Sequence, residues 1–237
     1  MKKFVFPIPV VSLLLLLGSC SEPENIDSPS SPSTAPEPVD WSSVGQGEVY
    51  QKVCSTCHGP EGEGNPQIQS PAIGGLPAWY VKEQTGKFKS GLRGAHPEDT
   101  QGQLMRAIAI ALTPQQLDEA AQHVGKLPER KTEQHGDKAS VDRGRRIFAN
   151  ECMQCHRYNG RGEVVFHSAP LTTLDRDYLV RQLKKYRKGW RGNDKSDFYG
   201  HKMVEMAGTL TDESIEDVVN FIGSLAHGDD PRPAADF

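Results

Sequence analysis

The chain has 237 residues, room for one or two domains. Its 36% hydrophobic content is low for one large core, and 17 prolines with 23 glycines point to many loops. A formal charge of −4 excludes a generally basic nucleic-acid binder.

In chain order, the first feature is an address. Lys2 and Lys3 form a basic region, and an apolar run from Val10 to Leu17 is interrupted only by Ser12. Leu17-Gly18-Ser19-Cys20 closes the run with small residues before a cysteine. Residues 1–19 therefore read as a secretory signal. The ending resembles the bacterial lipoprotein box, which implies acylation of Cys20. A membrane anchor and an ordinary cleaved signal are the competing readings, but a run this short, with Pro7 and Pro9 upstream, spans a bilayer poorly. Ser21 is not the aspartate that retains some lipoproteins at the inner membrane, which favours the outer membrane.

Residues 20–44 are rich in acidic residues, proline and serine, and carry no basic residue. Such a stretch buries no core and predicts an extended tether, whose twenty residues 21–40 reach about 60 Å. The remainder divides into a first domain over 45–128, a linker over 129–138, a second domain over 139–227 and a tail over 228–237.

Cys54-Ser55-Thr56-Cys57-His58 and Cys152-Met153-Gln154-Cys155-His156 are both c-type haem attachment motifs. Two thiols at this spacing reach the two vinyl groups on one haem edge, and the histidine that follows meets the iron. A Cys₄ zinc site needs no histidine after each pair, and a redox dithiol does not normally occur twice with one. Disulfides are the remaining alternative in an exported chain.

The two halves superimpose at an offset of 98 residues. Cys54 pairs with Cys152, Tyr80 with Tyr178, Gln84 with Gln182, Gly91 with Gly189, Arg93 with Arg191, Met105 with Met203 and Leu112-Thr113 with Leu210-Thr211. Each half predicts an initial helix ending in its motif, a glycine-rich loop (Gly59 to Gly64, Gly160 to Gly162), and a middle helix from near Trp79 or Asp177 to Gly91 or Gly189. A last helix begins at Thr113 or Thr211. Thr113, Pro114 and Gln116 form a capping box, and Ile215, Val218, Val219 and Ile222 recur at helical spacing.

These features resemble class I cytochrome c domains, and the pair resembles the dihaem cytochrome c4 type over roughly residues 45–227. The resemblance implies an all-α fold of two tandem domains, each a small helical shell around a covalent haem. The cofactors are two covalently attached haem c groups: Cys54 and Cys57 hold the first, Cys152 and Cys155 the second. His58 and His156 are the proximal iron ligands. Met105 is the sixth ligand of the first iron, with His96 as its alternative. Met203, chosen by the repeat offset over Met206, serves the second, with His201 as the alternative. The competing reading is that these methionines merely fill the core. His123, His135, His167 and His227 are expected on the surface or in loops.

Arg93 and Arg191 end matching segments and are expected either to contact a haem propionate or to stand as solvated cations. Tyr80 and Tyr178 are expected in core packing, with packing on the haem or between the domains as the alternatives. Arg181, Lys184, Lys185, Arg187, Lys188 and Arg191 crowd one segment, which reads as a solvated helix face or as a docking patch for an acidic redox partner.

The expected function is electron transport by a lipid-anchored dihaem cytochrome on the periplasmic side of a bacterial envelope. It passes single electrons between redox proteins such as an oxidase, reductase or dehydrogenase, and binds no nucleic acid. A haem subunit of a larger oxidase or dehydrogenase complex is the alternative. A dihaem peroxidase is a weaker one, because paired methionines close both irons.

Overall fold

The computed structural model describes Trp41, residues 43–45 and residues 47–229. The signal, Cys20, the tether up to residue 40 and the tail from residue 230 lie outside the described residues.

The fold is helical, with no strand among the described residues. In the first domain a π-helical turn, Tyr50–Cys54, runs into the short helix α1, Ser55–His58. Helices α2 (Ala78–Ser90), α3 (Thr100–Ala111) and α4 (Pro114–Val124) follow. The second domain repeats the order: α5 (Lys138–Ile147), a π-helical turn at Phe148–Cys152, α6 (Met153–His156), α7 (Arg176–Arg187), α8 (Phe198–Gly208) and α9 (Asp212–Ala226).

Local chemistry sets the ends. Thr113 and Gln116 form the expected capping box of α4, and Thr211 accepts from the Ser214 amide at the start of α9. Helix α2 stops at Gly91, whose φ of 84° suits a residue without Cβ.

Two helices were not foreseen. α3 and α8 carry Met105 and Met203 and begin at Asp99 and Asp197, whose carboxylates accept from the amides of Gly102 and Gly200. The aspartate three residues before glycine, present in both repeats, is the signal that marks them.

The apolar core is continuous across the domain boundary. Tyr50, Leu76, Tyr80 and Val124 of the first domain join Phe148, Leu174, Tyr178, Ile215, Val219 and Phe221 of the second. A satellite cluster in the first domain gathers Val49, Val53, Leu112, Leu117 and Ala120. Trp41 and Val44, assigned to the tether by composition, pack against it, and Gln116 donates to the Trp41 carbonyl. The linker is also packed: Thr132 is fully buried and its hydroxyl donates to the carbonyls of Leu171 and Leu174, both at 2.8 Å.

Helices α5 and α9 cross at Gly144, where a Cβ would lie 1.9 Å from the Asp217 carbonyl oxygen. Ser140 and Arg143 bind the Asp217 carboxylate beside this crossing. Burial opposes that charge, but the Arg143 and Ser140 hydrogen bonds outweigh it and hold the carboxyl below its ordinary value. Gly144→Ala should therefore destabilise the chain by about 1–3 kcal/mol, although helix propensity alone favours alanine by about 1 kcal/mol. Thermal unfolding followed by circular dichroism reads the sign, and a raised Tm would contradict the close crossing.

Candidate haem centres

Each attachment motif sits where a π-helical turn tightens into an α-helical turn, a device frequent at functional sites. The four cysteines are unpaired: Cys54 and Cys152 half-buried, Cys57 and Cys155 exposed. Burial pushes the Cys54 thiol up to about 11 and Cys152 up to about 12, with the neighbouring cysteine, and Glu151 beside Cys152, adding to it. That upward shift is opposite to the lowered pKa of a redox dithiol's nucleophilic cysteine. No cluster of three or more Cys, His, Asp and Glu able to hold a metal occurs among the described residues, so the four cysteines do not converge on a zinc site.

His58 and His156 are buried, at 7% and 6% exposure. His58 Nδ1 lies 2.8 Å from the Pro71 carbonyl, and His156 Nδ1 lies 2.9 Å from the Ala169 carbonyl. Donation to a carbonyl fixes the tautomer and leaves Nε2 with its lone pair outward, as a ligating imidazole requires. Burial lowers both imidazole pKa values and keeps the rings neutral, although the carbonyl bonds oppose it. The matched serines differ: Ser70 Oγ lies 3.1 Å from His58 Nδ1, whereas its counterpart Ser168 donates to the Cys155 carbonyl.

The glycine-rich loop folds tightly around each proximal histidine. At Gly64 and Gly162 a Cβ would lie 2.6 Å from the Ala72 amide and 2.3 Å from the Ser168 carbonyl. The chain leaves each histidine at positive φ, 79° at Gly59 but 63° at Arg157, where a side chain makes that backbone costly. Arg157 pairs with Glu163.

Met105 and Met203 stand in mid-helix and are partly buried. Gly102, Met105 and Ala109 share one stripe of α3, and Gly200, Met203 and Ala207 share the equivalent stripe of α8. The glycines and alanines of both stripes are buried, and Met206 is partly buried, as Met203 is. His96 stacks on Trp190 of the other domain, with ring centroids 5.2 Å apart. His201 lies 3.4 Å from the Gly192 carbonyl. His123 lies on α4 and stacks on buried Tyr50 at 4.5 Å, while His135, His167 and His227 are exposed.

The two arginines are not solvated cations. Arg93 and Arg191 are 7% and 8% exposed and meet between the domains. Arg93 donates to Gln84 of its own domain and to Tyr178 and Gln182 of the other. Arg191 donates to Gln182 of its own domain and Gln84 of the other. Among the described residues neither guanidinium has a carboxylate within salt-bridge distance. The excess positive charge is felt nearby: burial opposes ionisation of Tyr178, yet Arg93 and Arg191 hold its hydroxyl below the ordinary tyrosine value. Tyr80 is pushed up to about 12 by burial and by Tyr178. Tyr80 and Tyr178 thus pack in the core where it crosses the domain boundary.

The basic segment is largely consumed as well. Lys185 is buried against Asp99, Arg181 donates to the Gln69 carbonyl, Arg187 binds Asp212 and the Leu210 carbonyl, and Lys188 lies 4.3 Å over Trp190. Lys188 stays exposed and Lys184 lies 3.9 Å from Asp212, so the segment is not one uniformly solvated face. The domain interface and intradomain pairing account for it.

This donor set fits haem: thiols at vinyl spacing, a neutral imidazole with Nε2 free, and buried cations that lack anions where propionates would bring them. A haem c bound this way supplies a one-electron iron couple.

The cytochrome c family matches the chain twice, over residues 45–128 and 141–226. The chain is 29% identical over 181 residues to the thiosulfate dehydrogenase electron acceptor of Stutzerimonas stutzeri, covering 73% of this chain and 78% of that one. It is 26% identical over 192 residues to cytochrome c4 of Stutzerimonas stutzeri, covering 77% and 88%. Among solved structures, reduced recombinant cytochrome c4 from Pseudomonas stutzeri superimposes with a TM-score of 0.60 at 25% identity, over 75% of this chain and 95% of that one. The chain belongs to the cytochrome c family, as a tandem, dihaem electron-transfer protein similar to cytochrome c4.

Proposed function

We propose that the chain is a carrier tethered to the periplasmic side of a bacterial envelope, passing single electrons between a dehydrogenase or reductase and an oxidase. Its similarity to a protein named as the electron acceptor of thiosulfate dehydrogenase supports a dehydrogenase donor. Partial similarity to a cbb3-type oxidase subunit of Sinorhizobium medicae, over 48% of this chain and 38% of that protein, supports an oxidase partner. No helix among the described residues is long and apolar enough to cross a membrane. The anchor in this reading is lipid on Cys20, and residues 21–40 are the reach.

The carrier reading rests on one observation: the same four-part set, two thiols, a carbonyl-bound histidine and a helix-borne methionine, recurs 98 residues apart. Met105 and Met203 close the sixth positions, so that electrons enter and leave without a bond to substrate. Arg93 and Arg191 receive haem propionates: their side chains are buried and their hydrogen-bond partners are neutral glutamine and tyrosine oxygens.

Three outcomes test this. The reduced wild-type protein should show no spectral change under carbon monoxide, and Met105→Ala should admit it at one haem only. Carbon monoxide binding to the wild type would replace the carrier reading with ligand sensing or catalysis. Arg191→Gln removes a buried positive charge, which should lower a haem midpoint potential in spectroelectrochemical titration. Unchanged potentials would remove the propionate role. Cys20→Ser should move the protein from the membrane to the soluble periplasmic fraction on immunoblots, and persistent membrane association would sink the lipid anchor.

A further inference from the structure

The domain boundary holds a second exchange, of charges rather than amides. Asp99 is 2% exposed and caps α3 through its Oδ1, which accepts from the Gly102 amide at 2.9 Å. The same oxygen is bound by Lys185 of α7, in the other domain. Asp197 caps α8 identically, accepting from the Gly200 amide at 3.0 Å, and Lys87 of α2 lies 3.0 Å from the same Oδ1. Lys87 and Lys185 are repeat equivalents, and so are Asp99 and Asp197. The exchange is therefore twofold. Each domain lends a lysine to the cap of the helix that carries the other domain's methionine.

We propose that Lys185 and Lys87 are positioning residues acting across the boundary: Lys185 anchors α3 and raises the potential of the first haem, and Lys87 does the same for α8 and the second. This rests on the reading that Met105 and Met203 are the iron ligands. Each methionine is six residues beyond its cap, about 9 Å along the helix axis. A buried unit charge at about that distance changes a one-electron equilibrium on the order of tenfold, equivalent to about 59 mV. Loss of the lysine leaves the aspartate's negative charge uncompensated and favours Fe(III). It also frees the cap from its only cross-domain tie described above, so helix position and field act together.

The two arms are unequal. Lys185 is 11% exposed and has Asp99 as its only carboxylate partner among the described residues. Lys87 divides its charge between Asp197 and Glu83 of its own helix, and Glu83 also binds His167. The Lys185 arm should be the stronger.

The test is spectroelectrochemical titration of the full haem-loaded chain, with the two waves assigned by Met105→Ala and Met203→Ala. Lys185→Gln should shift the first haem's equilibrium about tenfold toward the oxidised state and the second's by less than a third of that on the same logarithmic scale. Lys87→Gln should shift the second haem, by less. Lys185→Arg, which keeps the charge, should leave both waves near wild type. The proposal is overturned if Lys185→Gln moves neither wave, moves both equally, or is matched by Lys185→Arg. Should Lys185→Gln fail to load haem, the Lys87→Gln arm decides on the same criterion for the second haem. A failure of the ligand reading shows differently: Met105→Ala then displaces no wave and admits no carbon monoxide, and the proposal falls with it.

Discussion

Two buried guanidinium groups with no carboxylate partner among the described residues govern this molecule. Arg93 and Arg191 meet at the centre of the domain boundary, each gripping Gln84 and Gln182. Buried charge without a counter-ion is expensive, and glutamine and tyrosine oxygens only partly solvate it. The arrangement calls for anions, and two haems bring four propionates. In the proposed reading the haem propionates complete this boundary, and Tyr80, Leu76, Leu174 and Tyr178 join the apolar cluster that spans it.

Duplication explains how such a boundary is built from one set of residues. A contact from residue i of one repeat to residue j of the other is matched by its reciprocal when the halves are related by a twofold. Arg93 to Gln182 is matched by Arg191 to Gln84, and Lys185 to Asp99 by Lys87 to Asp197. Where the sequences have diverged, the symmetry breaks. Glu83 binds His167, while its counterpart Arg181 donates to the Gln69 carbonyl. The stacked Tyr50 and His123 of the first domain become the Phe148 and Phe221 pair of the second. With Ser70 near only the first proximal histidine, these differences place the two irons in unlike surroundings.

The linker is packed against the second domain. Thr132 is buried and bonded to the loop before α7, and the Glu133 carbonyl sits where a Cβ at Gly223 would be.

Local and periodic features are legible along the chain: the two attachment motifs, the 98-residue repeat, and the Thr113 and Thr211 helix starts. These depend on neighbours within a few positions, so spacing alone exposes them. It missed α3 and α8, whose apolar stripe is interrupted by Gly102, Gly200 and polar residues, leaving the aspartate caps as the only strong local mark. The fates of Arg93, Arg191 and the basic segment were decided by tertiary structure alone. Whether a lysine or arginine is solvated or buried depends on which residue about 90 positions away meets it. Lys185 with Asp99 and Arg93 with Tyr178 are such meetings, set by how two shells pack and by no pattern along the chain.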